Sequence, residues 1–189
     1  EAARAAYDAL LHGVFPTPEL ALEYWRLRSR LPEGNAPALA ALLALDREYP
    51  RNIPLRQTLA NLLFAADRDD EALAMLHALA EEPLARNAAA QREFDYLSAL
   101  PPSAATAARW QTFLQLYAGT PVYDDAVRTQ ASQQKLLDDP AWRAGRQGLA
   151  LLEQGRNAQA EPLLKRGLAA YADDAELLGG LGLAYLRTG

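Results

Sequence analysis

Apolar residues along this chain recur at three- and four-residue spacing in short blocks, and each block is closed by a cluster of Pro, Gly, Asp or Asn. The spacing is that of amphipathic helices, and the clusters are helix stops and starts. Alanine, leucine and glutamate fill the blocks, while β-branched residues are few. The pattern predicts eleven helices, over residues 1–13, 18–31, 36–48, 53–66, 69–81, 86–99, 103–117, 122–137, 140–154, 157–170 and 174–187. Leu31-Pro32-Glu33-Gly34-Asn35 separates two of them and Pro101-Pro102-Ser103 opens another. Asp138-Asp139-Pro140 puts a proline near a first helical position, where its missing N–H is no loss.

Helices this short are marginal alone, so each must bury its apolar stripe on neighbours, and a fixed period is the sign that it does. Leu178-x-x-Leu181-Gly182-x-x-Tyr185 matches the first-helix half of the tetratricopeptide signature, in which a small residue lets two helices approach closely. Gly148, followed by Leu151, stands 34 residues earlier. The second-helix half is a small residue followed four later by a large one. It recurs as Ala160 and Leu164, as Ala72, Leu76 and Leu79, as Ala38, Leu42 and Leu45, and as Ala3, Tyr7 and Leu10. The steps from Ala3 to Ala38 and on to Ala72 are 35 and 34 residues, and Pro50 falls at the repeat-closing position. The fold expected is all-α, a tetratricopeptide-repeat superhelix of the α-solenoid class.

The register breaks once. Ala72 and Ala160 are 88 residues apart, about 20 more than two periods, a surplus of one helix and its loop. Residues 122–137 are therefore expected to form an unpaired helix, bounded by Gly119-Thr120-Pro121 and Asp138-Asp139-Pro140, at which the solenoid changes direction. The organisation expected is an N-terminal repeat cluster over 1–121, an unpaired helix or hinge over 122–139, and a truncated C-terminal cluster over 140–189.

Composition narrows the function. The chain is 50% hydrophobic and 23% charged, enough apolar material for a large buried core. Its formal charge of -5 argues against a surface built for nucleic acid. Cysteine is absent, which excludes disulfides, zinc-thiolate sites and thiol nucleophiles. The longest apolar run, Ala36 to Leu45, is half of what a bilayer requires. The first residues do not read as a secretory signal, and both ends read as cut from a longer chain.

Chemistry is sparse as well. His12 and His77 lie on different repeats and are not paired at helical spacing, so neither a metal site nor a cofactor is expected. Ser29, Ser98, Ser103 and Ser132 lack a nucleophile elbow, and Ser103 reads as a cap. The pairs Asp69-Asp70, Asp124-Asp125, Asp138-Asp139 and Asp173-Asp174 could be set for carboxylate catalysis on a glycan, but each sits at a helix start, where an acid satisfies free N–H groups and the helix dipole. Gly179-Gly180-Leu181-Gly182 follows no strand and is not a phosphate loop.

Four stretches carry a family resemblance: Leu20-Ala-Leu-Glu-Tyr-Trp25, Leu59-Ala-Asn-Leu-Leu-Phe-Ala-Ala-Asp-Arg-Asp-Asp-Glu71, Gln133-Gln-Lys-Leu-Leu-Asp-Asp-Pro-Ala-Trp142 and Gln147-Gly-Leu-Ala150. In collinear order over nearly the whole chain, the sequence resembles the tetratricopeptide region of the outer-membrane subunit of bacterial cellulose synthase. That family joins a long periplasmic repeat array to an outer-membrane β-barrel, and no barrel sequence is present here. The resemblance implies a periplasmic, non-catalytic part in carrying β-1,4-glucan from synthase to pore. The partners implied are protein subunits of the synthase complex, with peptidoglycan or the glucan chain as further candidates. The alternative is a tetratricopeptide adaptor that binds a peptide or protein in its concave groove, and a glycan-processing enzyme is the third reading.

The repeat register places Glu23, Leu27 and Arg30, and then Gln57, Asn61 and Phe64, along the concave face. Leu27 and Phe64 serve equally well as packing between repeats. Sugar rings stack on aromatic faces, which makes Trp25, Trp110 and Trp142 candidates. Trp25 falls at a core position, whereas Trp142, near a first-helix start, points toward the groove in this register.

Overall fold

The computed structural model describes residues 15–188, and every regular element among them is an α-helix. In chain order these are α1 (Pro18–Ser29), α2 (Asn35–Glu48), α3 (Ile53–Phe64), α4 (Asp69–Ala80), α5 (Arg86–Ala99), α6 (Ala104–Leu116), α7 (Tyr123–Asp138), α8 (Pro140–Glu153), α9 (Asn157–Leu168) and α10 (Ala175–Thr188). The bounds fall within two residues of those the spacing predicts. The expected helix over 1–13, with Ala3, Tyr7, Leu10 and His12, lies outside the described residues.

Side-chain caps fix the starts. Thr17 accepts the Leu20 N–H at 3.3 Å, Asn52 that of Leu55 at 3.0 Å, and Ser103 that of Thr106 at 3.0 Å. Asp139 takes the Ala141 and Trp142 N–H groups at 3.0 and 2.8 Å, and Asp174 takes those of Glu176 and Leu177 at 3.0 and 3.1 Å. Two of the acidic pairs thus provide caps. Asp69-Asp70 and Asp124-Asp125 lie in the first turns of α4 and α7, where the dipole favours negative charge.

The two hairpin turns that begin with α3 and α8 share one device. Arg156 N–H bonds the Leu151 carbonyl at 2.9 Å over Gly155 at φ +74°, and Arg68 N–H bonds the Leu63 carbonyl at 3.0 Å over Asp67 at φ +55°. Glycine enters the left-handed region without penalty, and Asp is among the few other residues that tolerate it.

The chain divides into two compact units. One holds the residues up to Tyr96 together with Gln115–Tyr123. Within it α1 packs on α2, α2 on α3 and α3 on α4, around Leu22, Ala38, Leu39, Leu42, Leu55, Leu59, Leu62, Leu63 and Ala72. Ala38 and Ala72, the small residues of the second-helix pattern, are fully buried, as are Leu42, Leu76 and Leu79. Each buried leucine contributes about 1.5 to 3 kcal/mol relative to exposure, which holds together helices too short to stand alone.

The same unit buries one carboxylate. Glu93 is 1% exposed, and His77 Nε2 lies 3.2 Å from its Oε1 and 3.1 Å from its Oε2. The Tyr117 hydroxyl also hydrogen-bonds Glu93 and donates to the Leu76 carbonyl at 3.3 Å. Burial, and then the Glu93 charge, push the Tyr117 phenol far above its ordinary range. The hydrogen bond to Glu93 raises the His77 pKa, with burial opposing it. Arg86 donates to the Ala80 carbonyl at 3.2 Å and the Leu116 carbonyl at 2.5 Å, which ties residues 115–123 into the unit.

The second unit holds Leu97–Leu114 and the residues from Asp124 on. Its core gathers Leu152, Ala160, Leu164, Leu177 and Ala184 where α8, α9 and α10 meet. Glycines set the approach. A Cβ on Gly148 would stand 2.8 Å from Leu164 Cγ, one on Gly167 2.8 Å from the Gly145 Cα, and one on Gly180 2.6 Å from Leu149 Cδ2. The signature glycine of α10 is therefore corrected: Gly180, not Gly182, makes the close contact, and a Cβ on Gly182 meets nothing within 4 Å. Gly148 is covered by Leu164, sixteen residues on, in the second helix of its hairpin, and the corresponding position for Gly182 lies beyond residue 189.

Counted in chain order, α1 to α6 make three successive pairs and α8 with α9 another, so α7 is the odd helix that the broken register predicts. It is fastened on two sides. Trp110 of α6, fully buried, donates its Nε1–H to Gln133 at 2.9 Å, and Arg143 of α8 donates to the Leu136 and Leu137 carbonyls at 2.8 Å each.

The glycines respond in opposite directions to alanine. Gly182→Ala, in open space on a helix, is expected to raise stability by about 0.8 to 1 kcal/mol through helix propensity, whereas Gly167→Ala forces a Cβ into backbone and is expected to lower it by about 1 to 3 kcal/mol. Urea melts of the purified chain check both signs. For His77 the folded pKa lies above the unfolded value of 6.5, so its pairing with Glu93 contributes fully below that value and is lost as pH rises through the folded pKa. Urea melts at pH 5.5 and 8.5 should show the native chain losing more stability on alkalinisation than His77→Gln, by no more than about 1 kcal/mol for a partly exposed pair.

Candidate functional site

The first-helix positions of two successive repeats, on α3 and α5, build a polar groove within the first unit. Gln57, Asn61 and Phe64, three of the residues placed by the register, lie on one side of α3, and Arg92 and Tyr96 of α5 meet them. A cavity of about 210 Å³ is lined by Gln57, Asn61, Leu76, Ala88, Ala89 and Arg92. The two alanines keep it open, and buried Leu76 is apolar floor.

Arg92 is positioned by its neighbours. Its Nε–H donates to Asn61 Oδ1 at 2.5 Å, and its guanidinium lies 4.6 Å from the centre of the Phe64 ring. Phe64 stacks on Tyr96, with ring centres 4.3 Å apart and planes 27° from parallel. Tyr96 in turn donates its hydroxyl proton to Asp69 at 2.6 Å. The Phe64 ring is thus occupied by a cation and a second ring. Arg92 and Asn61 together can hold a polar or anionic group by hydrogen bonds, and nothing in the arrangement activates water or forms a nucleophile.

On α1 and at its end, Glu23 and Arg30 are exposed and Leu27 is half-buried. Among the described residues no hydrogen bond or ring contact joins them to Gln57, Asn61, Phe64 or Arg92. Trp142 belongs to the second unit, at the start of α8. Lys135 Nζ lies 3.7 Å and Arg146 Cζ 4.1 Å from its ring centre, and Tyr171 meets it edge-on at 5.4 Å. Asp139 accepts the Trp142 N–H and the Tyr171 hydroxyl, and these bonds, the backbone one foremost, hold its carboxyl below the usual range. Arg146 is paired with Asp174 at 3.3 Å and with Glu176. A sugar stacking on Trp142 would have to displace a cation.

The other tryptophans also pack. Trp110 is fully buried against Phe113, with ring centres 5.5 Å apart, which removes it as a stacking surface. Trp25 is half-buried against the first unit's core, with the Arg28 guanidinium 5.7 Å from its ring.

Arg92, Tyr96 and Asp69 did not enter the sequence-based groove set. The signal for the first two was available: Glu23 to Gln57 and Leu27 to Asn61 are steps of 34, and one further step of 35 reaches Arg92 and Tyr96. Asp69 is not a first-helix position, and only the fold brings it to Tyr96.

Among the described residues, no group of three or more His, Cys, Asp or Glu side chains is arranged to hold a metal ion. No helix among them is long and apolar enough to cross a membrane.

No family model matches the chain. Individual proteins do. Cellulose synthase operon protein C of Escherichia coli K12 is 34% identical over 189 residues, which is 100% of this chain and 16% of that protein. The protein of the same name from Salmonella typhimurium LT2 is 39% identical over 181 residues, 95% of this chain and 15% of its own length. One from Komagataeibacter xylinus is 30% identical over 190 residues, 97% of this chain and 14% of its own length. A crystal structure of the flexible tandem repeat domain of the bacterial cellulose synthase protein C matches with a TM-score of 0.67 and 38% identity, covering 73% of this chain and 57% of that one. The chain therefore spans about one-sixth of the curated relatives' length. With the similarity continuous along its length and the helical repeat fold shared, the chain belongs to the cellulose synthase operon protein C family, as a segment of its tetratricopeptide-repeat region.

Proposed function

We propose that the chain is a non-catalytic periplasmic scaffold of bacterial cellulose synthesis and export. Its hairpins supply length by repetition, since each packs on its neighbours and none needs a single global core. Its first-helix residues supply a groove that docks protein subunits of the synthase complex or guides glucan between synthase and outer-membrane pore. Residues 1–121 and 140–189 act as two repeat clusters, and 122–139, which contain the odd helix α7, serve as the hinge between them. No catalytic step is assigned: the capping and ion-pair roles of Asp139 and Asp174 leave them no part in acid-base chemistry on a glycan.

The observation that carries this reading is the polar groove of Gln57, Asn61 and Arg92, prearranged on a repeat framework related to cellulose synthase operon protein C. It offers hydrogen-bond donors and acceptors to a bound segment without any group that would cleave it.

The test is made in a cellulose-producing bacterium whose operon protein C carries this segment. Replacing Gln57, Asn61 and Arg92 together by alanine is expected to lower secreted cellulose severalfold while the periplasmic abundance of the altered protein stays constant. Unchanged secretion would remove the groove from the function. The purified chain is expected to release no new reducing ends from cello-oligosaccharides, and their release would establish the enzyme reading.

A further inference from the structure

We infer that the α3–α5 groove binds the carboxylate of an acidic segment of a partner protein, with Arg92 as its anion-binding residue and Asn61 and Phe64 as the residues that aim it. The inference rests on the docking-groove reading above and names the groove's ligand.

Three observations separate this ligand from a neutral glucan. First, Arg92 is a cation that no carboxylate neutralises among the described contacts: its Nε–H is spent on the neutral Asn61 amide and its face on Phe64. The two terminal nitrogens remain, an edge whose paired N–H groups match the two oxygens of a carboxylate. Second, the acids close to it in the chain are engaged elsewhere. Asp95 takes a hydrogen bond from Gln91 at 2.8 Å, Asp69 takes one from Tyr96, and Glu93 is buried with His77 and Tyr117. Third, the aromatic surface a sugar ring would need is occupied, because Phe64 lies between commitments to Arg92 and Tyr96.

The rest of the cavity suits a peptide. Leu76, Ala88 and Ala89 give a small apolar floor for an aliphatic neighbour of the acidic residue, and the Gln57 and Asn61 amides can bond an extended backbone, which presents both donors and acceptors. The chain's net charge of -5 does not oppose this. At physiological salt, charges more than about 8 Å away are largely screened, so the local cation dominates.

The test is calorimetric titration of the purified chain with a capped glutamate-rich peptide, its glutamine counterpart and cellohexaose. The acidic peptide is expected to bind saturably, and the glutamine peptide at least about tenfold more weakly, the scale of a charge-assisted hydrogen-bonded pair. Arg92→Gln should weaken the acidic peptide by the same factor. Arg92→Lys, which keeps the charge and loses the fork, should fall between, and Trp142→Ala, in the other unit, should leave binding unchanged. Matching thermal melts show that each variant is folded, and where Arg92→Gln is unfolded the lysine variant and the two peptides decide. Equal affinity for the two peptides, binding of cellohexaose alone, or no binding at millimolar ligand would each overturn the inference. If the groove substitutions lower cellulose secretion but the acidic peptide does not bind, the scaffold reading stands and the carboxylate ligand falls.

Discussion

Leu164 of α9 reaches the backbone of α8 only because position 148 has no side chain. The same is true where Gly167 meets Gly145 and where Leu149 meets Gly180. Helices of 12 to 16 residues do not survive in water by their own hydrogen bonds. They must exchange solvent for a neighbour's side chains over most of one face, and the area exchanged rises steeply as the axes close. A small residue under a large one is therefore the condition for the helices to exist as well as a detail of their packing. In the first unit alanine has this part, at Ala38 and Ala72, and in the second glycine has it.

That condition explains what was legible in the sequence. Small residues must recur at the period of the structural repeat, so steps of 34 and 35 residues revealed the hairpins, and one step that was too long revealed an additional helix. Helix ends were legible to within two residues because Thr17, Asn52, Ser103, Asp139 and Asp174 are residue types whose side chains satisfy exposed N–H groups. Asp67 was less transparent. It occupies the left-handed position that Gly155 occupies 88 residues later, and an aspartate there does not announce a helix end as a glycine does.

The site was only half legible, for a physical reason. The register gives the angular position of a residue on its helix, which brought Gln57, Asn61 and Phe64 to the groove side. It does not say what a side chain finds on arrival. Trp142 was placed toward a groove by the same logic, yet its ring is covered by Lys135 and Arg146. These come from different helices, and their convergence depends on how α7 lies beside α8. A site made of long side chains from several elements is a property of packing, and a period in one dimension carries no information about it.

Neighbouring residues of α5 connect the interior to the groove. Successive positions on a helix point about 100° apart, so Arg92 and Glu93 face different surroundings. Glu93 is 1% exposed and held by His77 and Tyr117. A buried carboxylate without such partners would be strongly destabilising, so α5 has little rotational freedom about its axis. Fixing Glu93 inward directs Arg92 toward Asn61 and Phe64, and the groove acquires a cation at a defined place without any contact across its mouth. The buried acid, which adds little net stability after its own desolvation, acts in this way as the register pin of the site.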